Sequence, residues 1–556
     1  MDNRERNPRP WGHVPVYIHS TWNLHLLLYL ASNRNVRNRS CRGRVELDSS
    51  VHYNDPLKLN QRKTNIPVAR RLRGMRKISS SSELLELSRD SGIVSIVPRV
   101  AYAAETEEDV VAGIHEAAVN GLSVTARGGG TSIPSQSVGR GAILLQRRRK
   151  AEVLPDGSVK CEPGIVKADL NKILSAAGRW MPVDPSSYAS CTLGGMVANN
   201  SAGVRTMKYG STIDFVKTLR VVVPGELPAQ VHPLTLEKAL TADERTRKIA
   251  SLIVENEKEI RQDQPKVTKN SSGYRLEKVV HGGIFDFPKL LVGSEGTLCV
   301  FTEATMATRA PPKWRLLLVV ESTLEELNSV ASAFKVHSPS GLELVDKSVF
   351  KIMNRWETIS RYSRTDSPYL VFCEFDGDSD DFAAKAEELA GSKAASFDPA
   401  VLTGPSEIAQ AWEARSEVLS IAQEIRKGSQ ILVPGVEDLT VPSDRLADLV
   451  KLLMDEFGKR GLEYISYGHA GDANLHARPL LDISEPRGRA MLDELMVECF
   501  EAVWKMGGTM TGEHGDGMLR ARFVERQYPK TYWIMKEIKT LFDPTGVLNP
   551  GVKFAQ

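Results

Sequence analysis

Three glycine-rich segments between residues 127 and 298 constrain this chain more than any other feature. They are Arg127-Gly128-Gly129-Gly130-Thr131-Ser132, then Thr192–Gly203 (TLGGMVANNSAG) with Tyr209-Gly210 behind it, then Val292–Leu298 (VGSEGTL). Glycine permits positive φ and lets backbone N–H groups approach an anion, while Ser and Thr add hydroxyl donors. Any one of these loops is as readily a tight turn. Three in one domain point instead to a fold that wraps a pyrophosphate with several loops. None fits GxGxxG after a first strand or GxxxxGK[ST], so the Rossmann and P-loop solutions are disfavoured.

The sequence around the loops alternates between helical and strand periods. Thr106–Asn120 reads as a capped helix with acids in its first turn. Strands are expected at Leu122–Thr125, Ala142–Leu145 and Ser158–Pro163, with a helix at Ala168–Ala177. Ala310-Pro311-Pro312 punctuates the chain. Beyond it, strands at Arg315–Glu321, Tyr369–Phe375, Ile431–Val436 and Glu463–Gly468 alternate with helices at Leu324–Phe334, Asp381–Leu389 and Ser443–Arg460. The expectation is a first domain of α/β or α+β architecture followed by a second, α+β domain.

The 556 residues carry a formal net charge of +3, unevenly spread. Residues 1–76 hold 13 Arg and 2 Lys against 5 acids, whereas the rest holds 57 basic against 64 acidic residues, a balance of −7. Residues 1–76 lack sustained periodicity and read as a poorly ordered basic extension. The acidic body gives no reason to expect nucleic acid. The apolar run Leu24–Ala31 is far short of the roughly 20 residues that span a bilayer, and Asp2 and Glu5 sit where a signal peptide carries positive charge. Six cysteines without a CxxC pair suggest reduced thiols, a cytoplasmic location and no cysteine-ligated cluster.

Two further motifs concentrate chemistry: His469-Ala-Gly-Asp-Ala-Asn-Leu-His476 and Gly512-Glu513-His514-Gly515. On one continuous strand His469 and His476 would face opposite sides, but a turn at Gly471-Asp472 can bring both imidazoles together. Two His and a carboxylate are a ligand set of catalytic zinc, and Glu513 is the best third ligand in the sequence. A lone histidine is more often a satisfied core or surface residue; this grouping is less readily explained so. Arg415 follows Trp412 on a helix beginning after Pro405, where an arginine is as readily a solvated surface residue.

In order, RGGGTS, VDPSSYASCTLGGMVANNSAG, NSSGY at Asn270–Tyr274, LLVGSEGTL, HAGDANLH, GEHG and FDPTGVLNPG at Phe542–Gly551 resemble the FAD-linked oxidoreductases of the vanillyl-alcohol-oxidase/PCMH superfamily, over roughly residues 85–556. The likeness is greatest to the branch of D-lactate dehydrogenase, the glycolate oxidase FAD subunit and D-2-hydroxyglutarate dehydrogenase. It implies a PCMH-type FAD-binding domain of two α+β subdomains at 77–310. A C-terminal domain with an antiparallel sheet flanked by helices would occupy 311–520, and 521–556 would return to the FAD domain.

By the same resemblance Arg127, Gly128, Gly129, Gly130, Thr131 and Ser132 bind the FAD pyrophosphate. Pro185, Ser186, Thr192, Gly194, Gly195, Asn199, Ser201 and Gly203 line flavin and diphosphate; Glu295, Gly296, Thr297 and Leu298 lie along the ADP half, and Asn549 sits near the flavin. Covalent members place His after the first glycines; Thr131 stands there, so FAD is expected to be noncovalent. His469, His476 and Glu513 are implied as ligands of a divalent metal, zinc by their chemistry. His514 is implied as the base, Asn474 as a substrate contact, and Arg415 as the carboxylate-binding cation.

The activity implied is oxidation of a D-2-hydroxy acid to the 2-oxo acid with electrons passing to FAD. In 2-hydroxyglutarate-type members a Lys helps bind the second carboxylate; Val436-Glu437-Asp438 stands in that stretch, favouring D-lactate or glycolate. D-2-hydroxyglutarate oxidation, a sugar-lactone or alkylglycerone-phosphate type of enzyme, and a flavin electron-transfer subunit without substrate chemistry are the alternatives. The implied acceptor is a quinone, a cytochrome, an electron-transfer flavoprotein or an iron–sulfur partner subunit; a homodimer and peripheral membrane association remain open.

Overall fold

The computed structural model describes residues 75–352 and 355–555. Residues 1–74, most of the basic extension, lie outside the described part. Met75 is buried and Arg76–Ile78 pairs antiparallel with Val100–Ala104, so two residues assigned to the extension belong to the folded body. A three-residue edge strand beginning Arg-Lys is too short and too charged to show a period.

Two larger sheets frame the N-terminal half, beside a small one of Val280–His281, Ile284–Phe285 and Leu234–Thr235. The first orders its strands Arg76–Ile78, Val100–Ala104, Ala142–Gln146, Val124–Arg127, the last three mutually parallel. The helix Glu107–Val119 packs against them, started by Thr106, whose side chain accepts from the Asp109 N–H in a complete capping box. The second sheet is antiparallel, in the order Ala151–Val153, Val159–Cys161, Val300–Met306, Val216–Val222, Ala229–Val231. The glycine segments connect these layers. Thr192 caps the helix Leu193–Asn199, its hydroxyl accepting from the Gly195 N–H, and Gly293 N–H donates to the Val197 carbonyl.

The C-terminal half is a nine-stranded sheet whose long strands are antiparallel neighbours: Trp314–Ser322, Tyr369–Gly377, Gly341–Asp346, Tyr464–His469 and Asn474–Leu481. Helices Leu327–Lys335, Leu446–Lys459, Pro405–Glu424 and Pro486–Lys505 flank it. The α+β class and the helix-flanked antiparallel sheet are therefore present as expected. One strand is shorter than its apolar run suggests: the expected Ile431–Val436 ends at Leu432, within Gln430–Leu432, and the next short strand is Leu439–Thr440. Pro434 has no N–H to give a ladder, and Gly435 donates to the Glu437 carboxylate instead. That break turns Glu437 and Asp438 into the protein. Among the described residues no helix is long and apolar enough to cross a membrane.

Candidate active site

The three glycine segments converge on one groove, joined by Pro185, Ser186, Gln136, Gln146, Phe301, Glu513 and His514. Their glycines allow close approach: a Cβ at Gly129 would overlap the Ser190 carbonyl oxygen, and one at Gly194 would meet Pro163 Cβ at 2.6 Å. All of Arg127 to Ser132, with Pro185, Ser186, Thr192, Gly194, Gly195, Asn199, Ser201, Glu295 and Gly296, line this groove. Gly203 lines the adjacent cavity instead. Thr297 and Leu298 are fully buried, and the Thr297 hydroxyl meets Tyr274 at 2.7 Å.

Several predicted contacts face protein. The Arg127 guanidinium donates to the carbonyls of Ser137 (3.0 Å) and Arg89 (2.7 Å), tying down its own loop. Glu295 pairs with Lys553 at 2.8 Å and accepts from the Asp516 and Gly517 N–H groups. Asn549 is buried and bonds Thr125, Gln136 and Glu295. Two further residues belong to the groove, Gln136, which has no motif, and Gln146, which stands where the resembling family often has an acid: their amide oxygens are buried there without partners. Orphaned acceptors on a glycine-built wall suit a ligand with its own N–H donors, and flavin and adenine both have them.

A second cavity adjoins the groove, sharing Pro185, Ser186, Glu513 and His514 with it. The turn at Ala470–Asp472 reverses the chain, pairing Tyr464–His469 with Asn474–Leu481, so that His469 and His476 converge. Their Nε2 atoms lie 3.2 and 3.1 Å from Glu513 Oε1, and His514 Nε2 lies 3.7 Å from the same oxygen. Behind them, His469 Nδ1 meets Glu343 at 2.6 Å and His476 Nδ1 meets the Glu437 carbonyl at 2.8 Å. Each ring thus turns Nε2 inward with Nδ1 anchored, the arrangement that metal-ligating histidines require. The donor set of two His and a carboxylate therefore suits a divalent cation. Asp438 is also close, but its oxygens accept from the N–H groups of Glu513 and His514 and from Thr511, which makes it a holder of the loop.

Asn474 does not line the cavity. It is fully buried and its amide donates to Asp438 Oδ1 at 3.1 Å, so the expected substrate contact is replaced by a grip on the residue that grips the loop. Arg415 does line it. Its Nε and Nη2 both donate to Glu343 Oε2, at 3.1 and 2.6 Å, and it stacks 5.4 Å over Tyr467. Glu343 therefore joins Arg415 to His469.

Burial raises the carboxyl pKa values here, but neighbouring cations outweigh it. His469 and Arg415 hold Glu343 at about 2; Lys269 and His469 hold Glu513 well below the usual range. Burial alone would lower His469, yet Glu343 lifts it to about 9. It would lower His514 too, where Asp438 and Glu437 reverse the sign. His476 is lowered, burial outweighing Glu513. Lys269, Glu343, Glu437, Asp438 and Arg520 were all missed as site residues. Of these, Glu343 has a local sequence signal, an acid inside the apolar stretch Gly341–Val345 (GLELV).

The description "FAD binding domain" matches residues 98–226, and "FAD linked oxidases, C-terminal domain" matches residues 310–552. The first match spans the groove's glycine segments up to Gly210, and the second spans the sheet whose strands wall the cavity. The chain carries both domain types, in the order that the vanillyl-alcohol-oxidase/PCMH resemblance implies, and its relatives include D-2-hydroxyglutarate and D-lactate dehydrogenases. It is 28% identical over 511 residues to D-2-hydroxyglutarate dehydrogenase of Escherichia coli, covering 85% of this chain and 50% of that one. D-lactate dehydrogenase of Archaeoglobus fulgidus is 29% identical over 460 residues (81% and 90%), and the glycolate oxidase subunit GlcD of Bacillus subtilis 27% over 448 residues (78% and 84%). The chain thus spans about half the length of the first of these relatives. Alkyldihydroxyacetonephosphate synthase shares the fold in two crystal forms, with TM-scores of 0.58 and 0.59 at 15% and 16% identity, covering 90% and 94% of this chain and 87% and 90% of theirs.

Proposed function

We propose that this protein is an FAD-dependent dehydrogenase that oxidises a D-2-hydroxy acid to the 2-oxo acid, with FAD bound noncovalently and a divalent metal, zinc by its donor set, held by His469, His476 and Glu513. The observation that carries the reading is the convergence of three imidazole Nε2 atoms on one Glu513 oxygen where the groove meets the charged cavity. The names of the relatives support the same chemistry.

FAD, when bound, supplies the two-electron acceptor, and the metal supplies Lewis acidity toward the substrate hydroxyl. The chain's own residues do the rest. Arg415, two of its donors fixed by Glu343, offers its remaining N–H groups to the substrate carboxylate. His514 accepts the hydroxyl proton at Nε2; the acids behind it, Asp438 and Glu437, strengthen it as a base. Asn199 and Gln136 reach from the groove to the carbonyls of Glu513 (2.9 Å) and His514 (2.9 Å), so the base is positioned from the FAD domain as well as by Asp438. The electrons then pass to an acceptor outside the chain.

The test is anaerobic flavin reduction by D-lactate, glycolate and D-2-hydroxyglutarate with no partner protein present. Bleaching of the flavin by at least one acid is expected; failure with every one would point to an electron-transfer subunit without substrate chemistry of its own.

A further inference from the structure

On the strand Asn474–Leu481, Arg478 follows His476 on the same face, about 7 Å further along. Both line the cavity in front of Glu513. Arg478 Nε is buried and has no hydrogen-bond partner, and no carboxylate among the described residues pairs with this guanidinium. The other buried arginines are committed: Arg415 to Glu343, and Arg205 to Asp184 and Glu374. Glu437, the acid whose charge Arg478 influences, is already held by Arg520 at 2.6 Å and by His514 at 3.3 Å.

A half-buried guanidinium without a counter-charge is costly unless an anion arrives. The other cations of the cavity wall each have a carboxylate within 4 Å: Arg205 has Asp184 and Glu374, Lys313 has Asp380, Arg315 has Glu374 and Arg415 has Glu343. A 2-hydroxy monocarboxylate, with one charge for Arg415, leaves Arg478 unanswered.

Resting on the 2-hydroxy-acid chemistry proposed above, we propose that Arg478 receives the second carboxylate of a 2-hydroxy dicarboxylate and so sets the selectivity of this cavity. The missing Lys before Asp438 argued for a small monocarboxylate from one stretch of wall. Arg478 stands on a different strand, and its planar fork can take a carboxylate bidentately. The dicarboxylate lies with its hydroxyl carbon near His514 and its first carboxylate at Arg415, and the remaining carbons run along the strand toward Arg478.

The experiment uses the FAD-loaded, metal-loaded protein with a dye acceptor, and D-lactate, D-malate and D-2-hydroxyglutarate as substrates. A dicarboxylate is expected to exceed D-lactate in kcat/KM by at least about tenfold, the scale of one added ionic hydrogen bond. Arg478→Gln should cut that dicarboxylate-to-lactate ratio by at least about tenfold, through KM, with Arg478→Lys recovering part of it. Inhibition of the unaltered enzyme adds a readout that needs no variant: glutarate should compete with D-lactate far better than butyrate does. Preference for D-lactate, equal inhibition by glutarate and butyrate, or an Arg478→Gln ratio that does not move overturns the assignment. Flavin left unreduced by all three acids overturns the proposed function itself.

Discussion

The groove of the N-terminal half is walled by backbone and small side chains, whereas the cavity of the C-terminal half is walled by charges set against one another. Two buried lysines show the contrast. Lys167 sits beside the glycine loops with only Asn171 Oδ1 and the Met181 carbonyl as acceptors, and burial pushes its pKa down to about 8. Lys269 is equally buried, but Glu513 and Asp472 lie 3.3 and 3.5 Å away and its pKa rises. A cradle built mostly of uncharged groups can exclude water around a large ligand with few fixed charges. A cluster that must orient a small anion and move a proton needs its charges already paired and aimed.

The largest test of this contrast is His514→Ala, which should slow flavin reduction about 10³-fold while the flavin spectrum of the bound cofactor persists; rapid reduction would remove His514 from the chemistry. Chelation should come next, with about 10²-fold loss of turnover, retained FAD, and recovery on adding Zn²⁺. Gly129→Ala reverses the pattern. The new Cβ collides with a carbonyl that cannot swing aside, so FAD affinity should fall at least about tenfold while metal content is kept. Equilibrium dialysis and metal analysis on one sample would show whether the two halves separate so cleanly.

The remaining effect is on stability and concerns Lys167. Its folded pKa of about 8 lies below the free value of 10.5, so the unfolded chain binds the extra proton between these limits and stability rises with pH across that window. Wild type should therefore gain on Lys167→Met in melting temperature from pH 7.5 to pH 10, by up to about 3 kcal/mol in stability. A constant difference between the two would show that Lys167 is neutral or solvated throughout.

Local signals carried most of the architecture. The helix Glu107–Val119 was legible because Thr106 and Asp109 write its start, and the glycine loops because each is a contiguous string. Side-chain direction was not legible. Arg127, Asn199 and Glu295 fall on the groove, but their polar atoms hold protein. Glu343, Glu437 and Lys269 lie in segments far apart in sequence, so no spacing rule joins them; only the folded sheet does. Asn474 shows the same gap, having the right motif and a side chain spent on Asp438.

The return of the chain to the first sheet also has a consequence for biosynthesis. Val124 N–H donates to Val547 and its carbonyl accepts from Asn549, while Thr125 bonds Asn549 across 424 residues. Lys553 joins Glu295 to Asp516. A ribosome at about 5–20 residues per second needs tens of seconds to travel from the first of these partners to the last. From Leu298 onward the nascent chain carries every glycine loop and still lacks the strut behind them. Loading of the cofactor is thereby deferred until residues 547–553 have emerged, and removing them should yield a protein with all its motifs and no flavin colour.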